Sequence, residues 1–273
     1  MMGQRGDPQT LQRIRQDLGL DLPLTQQYAK FIKELAKGEL GMSYRNNERV
    51  SSAIKTRFLA TMRLSLWAMV IAVIVGITAG IVSAAKQYSV FDYSAMFIAV
   101  SGVSAPVFWV GLLLLLVFAY GLGWVPGIGE GDGSWRYLVL PAITLGVRPA
   151  ALIARLTRSC MLEVLNQDYI RTARAKGIKE SVVVMKHALK NAMIPVVTII
   201  GTQISELLSG AVLTESIFAW PGIGRLAVEA LINRDFPMIR GTVIVMALTF
   251  LVANLLVDIS YSLFDPRVRY EGK

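Results

Sequence analysis

Residues 64–85 form an uncharged run between Arg63 and Lys86, and nothing else in the chain limits its possible folds so sharply. About 20 consecutive apolar residues suffice to cross the hydrocarbon core of a bilayer as a helix. Four later segments are read the same way. Residues 93–129 also carry no charge; their densest part, 108–120, follows Pro106, and one span is expected there, ending in the turn 121–129. Trp124 in that turn suits a membrane interface, where an amphipathic ring is favoured. Segments 137–156, 191–214 and 241–264 are interrupted by Arg148 with Pro149, by Gln203 with Glu206, and by Asn254 with Asp258. They are still more apolar than a soluble helix needs. In hydrocarbon every backbone N–H and C=O must be paired, which leaves helices or closed barrels. A barrel needs repeated alternating segments of about ten residues, and the sequence shows no internal repeat. The expected fold is all-α, a polytopic membrane helical bundle.

Composition agrees with this class. Hydrophobic residues make up 54% and charged residues 17%, against about 25% charged in soluble domains. The net charge of +9 admits nucleic acid as a partner, but basic residues also collect in cytoplasmic loops, where they set orientation. The second reading accounts for their placement, and no nucleic acid is expected. With one cysteine, Cys160, and one histidine, His187, an intrachain disulfide, a CxxC site and a His-rich metal site are all excluded. Residues 1–30 are polar and charged, so no cleavable signal peptide opens the sequence.

The segment 155–190 holds Arg155, Arg158, Arg171, Arg174, Lys176, Lys179, Lys186 and Lys190 against Glu163, Asp168 and Glu180. The loops 121–136 and 215–240 show no such excess, so 155–190 is cytoplasmic and those two face outward. Five spans then place residues 1–60 outside and the tail 265–273 inside. The first sixty residues are themselves basic, which is awkward for an exported segment; an additional first span, missing from the sequence, is the expected remedy. Within 1–60, Leu24, Tyr28, Phe31, Ile32 and Leu35 share one helical face. Gly38 and Gly41 follow, so a helix over 24–37 packed on the spans is expected.

The stretch 168–195, DYIRTARAKGIKESVVVMKHALKNAMIP, resembles the cytoplasmic coupling loop of binding-protein-dependent importer permeases of the ATP-binding-cassette (ABC) class. Aligned on Gly177, it departs from the general family pattern at Arg171, Thr172, His187 and Lys190, and those departures look like the dipeptide/oligopeptide/nickel branch. Gly6-Asp7-Pro8, residues 18–23, residues 215–225, Arg234-Asp235-Phe236-Pro237, Asn254 to Asp258 and Asp265-Pro266-Arg267 resemble the same branch, in the same order. Members begin with a span before the Gly-Asp-Pro element, which fits the topology problem above.

The resemblance implies a type I importer transmembrane domain over 61–264. It implies a related second permease subunit, two cytoplasmic ATPases carrying ATP and magnesium, and an extracytoplasmic solute-binding protein, all at a bacterial or archaeal cytoplasmic membrane. No Gly-x-x-x-x-Gly-Lys-Ser/Thr cradle occurs in this chain, so it is not expected to bind ATP or act as an enzyme. Tyr169, Arg171, Thr172, Ala173, Arg174, Ala175, Lys176, Gly177 and His187 then become ATPase-coupling residues. Small side chains allow close approach, Gly177 permits a sharp bend between two short helices, and the cations pair with acids on a partner. Without the resemblance the same stretch reads as a basic loop that sets topology. His187 alone makes no nickel site, and it is read as supporting the coupling helices.

Polar groups inside spans are expensive and usually face a bundle interior or a pathway. Gln203 and Glu206, three apart on one face, are pathway-lining candidates, the alternative being helix–helix hydrogen bonding. That alternative is preferred for Asn254 and Asp258. Arg148 suits either a peptide carboxylate, an ion pair with Glu206, or a second permease subunit. Ser101, Ser104 and Pro106 are expected to relax or kink the second span. Phe218, Trp220 and Arg225 are candidates for docking a binding protein, against an interfacial belt or a loop dipping back between helices. Peptides are the first choice of cargo, with nickel the alternative. The competing functional classes are a stand-alone secondary transporter or channel, which predicts an internal repeat, and a membrane-embedded enzyme, for which one His and one Cys are poor material.

Overall fold

A computed structural model describes residues 21–264 apart from 132, 209 and 210, with side chains described as far as 259. In chain order the helices are α1 (Leu24–Ala36), α2 (Val50–Ala85), α3 (Val90–Ser104), α4 (Val107–Leu114), α5 (Trp135–Leu165), α6 (Asp168–Ala175), α7 (Glu180–Val182), α8 (Leu189–Leu208), α9 (Val212–Ile217), α10 (Ile223–Ile232) and α11 (Phe236–Phe264). π-helical turns, Leu115–Gly121 and Val183–Ala188, extend α4 and join α7 to α8. Among the described residues, four stretches are long and apolar enough to cross a membrane: Val50–Ala85, Arg136–Leu165, Glu180–Leu208 and Phe236–Ile259.

The fifth span is where the fold departs from expectation. Residues 93–129 do not form one straight helix; α3 and α4 meet at a bend of 111°. Pro106 offers no N–H, and its ring holds the preceding residue extended, as the ψ of 132° at Ala105 shows. The pair nevertheless climbs along α5. Asp92 bonds Arg158, Gly102 lies against Val147 and Ala151, Gly111 lies against Thr144, and Leu115 shares a cluster with Leu140. It therefore crosses the protein once, in two steps.

The central contact is α2 on α5. Ala68, Ala72, Gly76 and Gly80 recur every fourth residue of α2 and are buried. A Cβ at Gly76 would stand 2.8 Å from the Ala150 carbonyl oxygen, and one at Gly80 would stand 2.5 Å from Thr157 Cβ. Lipid tails are as apolar as leucine, so helices in a bilayer gain stability by close backbone approach, which only small residues permit. The apolar core is layered around this pair. A middle cluster holds Leu64, Ala68, Ile153, Val196 and Trp220; an inner one holds Ala84, Met161, Ile170, Ala173 and Val183; an outer one holds Leu40, Val50, Ile54, Ile223 and Met238.

The boundary expected at residue 60 falls inside α2, whose helix begins at Val50. Its 36 residues measure roughly 54 Å at 1.5 Å each, so its first turns project beyond the bilayer, where they join the outer cluster. The expected N-terminal helix is present as α1, and Gly38 and Gly41 follow it in left-handed conformations. Its packing on the spans is confined to one flank. Leu35 joins the outer cluster and the Arg240 guanidinium lies 4.5 Å over the Phe31 ring, while Leu24, Tyr28 and Ile32 are exposed. Asp235, buried at the head of α11, accepts hydrogen bonds from Ser43 Oγ and the Tyr44 N–H. That gives the Arg-Asp-Phe-Pro element a structural reason. The Gly-Asp-Pro element and the tail 265–273 lie outside the described residues.

Candidate functional site

Between residues 148 and 163 of α5, the exposed positions are Arg148, Arg155, Ser159 and Glu163. All four are polar, and their spacing puts them on one helical face. On the antiparallel α8, Asn191, Pro195, Thr198, Thr202 and Glu206 form a second exposed row at the same spacing. The two rows meet where Arg148 Nη1 lies 3.8 Å from Glu206 Oε1. Gln203, itself buried, donates from Nε2 to the other Glu206 oxygen at 3.1 Å. Arg148, Gln203 and Glu206, candidates from sequence, are thus brought together. From Arg148 to the end of α5 is roughly 25 Å at 1.5 Å per residue, so a polar track runs from the ion pair toward the basic stretch that follows α5. Thr198 and Thr202 donate to the Ile194 and Ile199 carbonyls, so the α8 side of the track is hydrophilic but uncharged below Glu206, while Arg155 and Glu163 carry charge on the α5 side. Charges in a span face a bundle interior or a water-filled path rather than lipid. With side chains 54% and 57% exposed, Arg148 and Glu206 have the surface of such a path. Asn254 is half-buried and Asp258 exposed on α11.

At the foot of the track is α6. Ile170 and Ala173 are buried in the inner cluster, while Arg171, Thr172, Arg174, Ala175 and Lys176 are exposed. The helix is an amphipathic arm, clamped along one side and open along the other. Its end is set by backbone chemistry. The Gly177 N–H donates to Arg174 O at 2.9 Å and the Ile178 N–H to Ala173 O at 3.4 Å, the paired bonds of a Schellman cap. Such a cap needs a left-handed residue, and Gly177 has φ +74°. Beyond it the chain turns into α7, where Glu180 accepts two hydrogen bonds from Arg174 at 3.1 and 2.7 Å. Tyr169 joins arm to track, its hydroxyl accepting from Asn191 Nδ2 at 2.7 Å. His187 sits half-buried in the π turn between α7 and α8, a geometry often found at functional sites.

Residues 76–270 match the family of binding-protein-dependent transport system inner membrane components, and residues 1–65 match the N-terminal family of the same membrane components. The chain belongs to this family. It is 46% identical, over 99% of its length and 89% of the relative's, to a dipeptide transport system permease protein of Alkalihalophilus pseudofirmus. It is 44% identical to a di/tripeptide permease protein of Pseudomonas aeruginosa, again over 99% and 89% of the two chains. It is also 44% identical to a glutathione transport system permease protein of Escherichia coli, over 98% of this chain and 87% of that one. In fold it is similar to the inward-facing methionine ABC transporter MetNI (TM-score 0.65, 15% identity, 78% of this chain and 96% of that one). An amino acid ABC transporter with histidines is also similar (TM-score 0.59, 16% identity, 80% and 95%). The protein is a multi-pass permease of the cytoplasmic membrane, forming the translocation pathway of an ABC importer of the peptide branch.

The corner built by α9 and α10 corrects one expectation. Phe218 and Trp220, candidates for docking, are fully buried, as a loop dipping back between helices requires. Phe218 packs with Leu115 and Leu140, and Trp220 Nε1 donates to the Ala60 carbonyl at 3.0 Å. Large aromatic surface beside a membrane rim gains more from the helix interior than from solvent, and neither ring has surface left for a docking protein. Arg225 is partly exposed, but its guanidinium donates to Glu229 at 2.8 Å and to the Ala219 carbonyl.

The residue at the centre of that corner is Glu215, to which the sequence reading gave no role. Its carboxylate is buried and accepts from Thr61 Oγ1 at 2.6 Å, from the Arg225 N–H at 2.9 Å and from the Gly224 N–H. The partners on α10 lie at the positive end of the helix. A Cβ at Gly222 would stand 2.1 Å from the Glu215 carboxyl carbon, and one at Gly224 would stand 2.9 Å from Oε2. Here the legible signal was a glutamate followed seven and nine residues on by glycines. Burial raises the Glu215 carboxyl above its ordinary 4.5, although the hydrogen bonds oppose this. A group raised on folding contributes stability that is fully present below the ordinary value and lost as pH rises through the raised one. The wild-type melting midpoint is therefore expected to fall from pH ~5 to ~8 relative to Glu215→Gln, which cannot ionise. Thermal unfolding of the two proteins across that range in one detergent tests this, and parallel curves refute it.

Proposed function

We propose that this permease carries short peptides inward down the track between α5 and α8, driven by an ATPase that grips α6. The single observation that carries the reading is the junction of arm and track: α6 is clamped by Ile170 and Ala173 and tied to Asn191 through Tyr169. A force applied to its open face, through Arg171, Thr172, Arg174, Ala175 and Lys176, is delivered to the helices that line the path. Gly177 fixes the angle at which the arm stands. The proposed assembly pairs this chain with a related permease, which closes the other side of the path. Two cytoplasmic ATPases supply ATP and magnesium chemistry, and an extracytoplasmic binding protein delivers cargo. Peptides, rather than nickel, are the cargo, supported by relatives that are dipeptide, di/tripeptide and glutathione permeases. Residues of the α9–α10 corner other than Phe218 and Trp220, Arg225 among them, would meet the binding protein.

The test is peptide uptake into proteoliposomes containing the complete complex, wild type or Gly177→Pro. Proline cannot take φ +74° and has no N–H for the Arg174 carbonyl, so the arm must reorient. Uptake is expected to need ATP and binding protein, and to be lost in Gly177→Pro while the complex still assembles. Peptide uptake down an ion gradient by this chain alone, without ATPases, would replace this reading with the secondary-transporter one.

A further inference from the structure

Among the described residues two arginine–carboxylate pairs join membrane-crossing segments, and they are built for different tasks. Arg158 holds Asp92 with two bonds of 2.6 and 2.7 Å, and the carboxylate side chain is 2% exposed. Arg148 and Glu206 approach only to 3.8 Å, by one pair of atoms, with both side chains more than half exposed. The first is a structural staple. An exposed pair of the second kind adds little to stability, so separating its members costs little, and each can exchange its partner for another of the same charge. Glu206 is oriented for this by Gln203, whose buried amide holds one carboxylate oxygen and leaves the other toward Arg148. The pair heads the polar track, and below it come Arg155, Ser159 and Glu163 on α5 and hydroxyls and an amide on α8.

We infer that Arg148 and Glu206 form a binding site for the two ends of a zwitterionic short peptide, Arg148 taking the terminal carboxylate and Glu206 the terminal ammonium. This rests on the reading of the α5–α8 track as the peptide path. An extended dipeptide spans roughly 7 Å and an ionic contact adds about 3 Å at each end, so the two long side chains must swing apart from their 3.8 Å approach to hold a cargo of two or three residues. The exchange swaps one ion pair for two, each open to water. Cargo is held weakly enough to be released down the track, as conduction through any selective path requires. When cargo leaves, the pair closes on itself, and neither charge is left uncompensated.

The experiment uses the complete permease–ATPase complex in nanodiscs without binding protein, so that the latter's selectivity does not enter. Equilibrium dialysis measures Ala-Ala, Ala-Ala-amide and N-acetyl-Ala-Ala against wild type, Arg148→Gln and Glu206→Gln. Wild type is expected to prefer Ala-Ala over either blocked form by about tenfold or more, the usual scale for a charge-assisted hydrogen bond. Arg148→Gln should lose only the preference over the amide, and Glu206→Gln only the preference over the acetylated form. This crossed pattern would not arise from a latch or a folding defect. Equal binding of all three peptides by wild type, absence of binding, or uniform weakening in both variants overturns the inference. ATP- and binding-protein-dependent uptake of Ala-Ala by the wild-type complex is measured in parallel. Where that uptake is present and the crossed pattern absent, only the site assignment fails; where uptake itself is absent, the peptide-importer reading fails.

Discussion

Asp92→Ala is expected to destabilise the permease by about 3–5 kcal/mol, because it leaves a partly buried arginine without its counter-charge. Asp92 is among the most completely bonded side chains described. It accepts from Arg158 Nε and Nη2, from the Tyr88 N–H at 3.0 Å and from Ser83 Oγ, while its own N–H is capped by Ser89 Oγ at 3.2 Å. These contacts tie the end of α2, the start of α3 and the lower half of α5 at the level of the inner cluster. The expected readout is a thermal midpoint lower by roughly 10 °C in detergent, at the usual few degrees per kcal/mol for a chain of this size. The pair as a whole is worth much less than either half, since desolvation offsets most of its attraction. The double variant Asp92→Leu with Arg158→Met is therefore expected to recover most of the lost stability. A double variant as unstable as the single one would show that the bonds to Ser83 and Tyr88, not the charge pair, carry the effect.

The second large effect lies at the α2–α5 contact. Gly80→Leu is expected to abolish folded permease, and Gly80→Ala to cost roughly 1–3 kcal/mol, the usual penalty for overpacking. Even the alanine Cβ would meet Thr157 Cβ at 2.5 Å and the Ala154 carbonyl oxygen at 2.7 Å. The oxygen belongs to helix backbone, so the strain is relieved only by moving the helices apart, which loosens Ala68, Ala72 and Gly76 as well. Adding Thr157→Gly to Gly80→Ala removes the nearest atom and should restore part of the loss. Gly177 is the contrasting case. A Cβ there meets nothing within 4 Å, and only its left-handed backbone resists substitution. Gly177→Ala is accordingly expected to leave the helix core intact at a cost of about 1–2 kcal/mol. The amount of monodisperse protein after extraction, compared across Gly80→Ala, Gly80→Leu and Gly177→Ala, checks the ranking.

Much of the site was legible because its signals are local. Arg148, Gln203 and Glu206 stand out in spans where charge is costly, and Gly177 follows the last turn of a short amphipathic helix, where a cap is expected. Asp92 had a signal too, as the lone acid between Lys86 and Glu130, yet nothing local pairs it with Arg158. Phe218 and Trp220 were misread for a related reason. An aromatic residue in a loop has the same sequence signature whether its ring faces solvent or fills the space beside Ala60 and Leu140. The bend between α3 and α4 was foreshadowed by Pro106, but its 111° is set by the route along α5, which no hydropathy profile contains.

Apolar run length and the requirement to pair every backbone group in lipid were enough, from sequence alone, to make this a helical membrane protein. The quoted motifs placed it among importer permeases. Tertiary structure alone decided which polar groups meet. It set one arginine as a staple and another as half of an open pair, put Glu215 under the glycines that make room for it, and turned the rings of Phe218 and Trp220 into the core. The reason is physical. Hydropathy and helical period act between residues a few positions apart, whereas the pairing of Arg148 with Glu206, of Arg158 with Asp92 and of Thr61 with Glu215 depends on how closely small residues let distant helices approach.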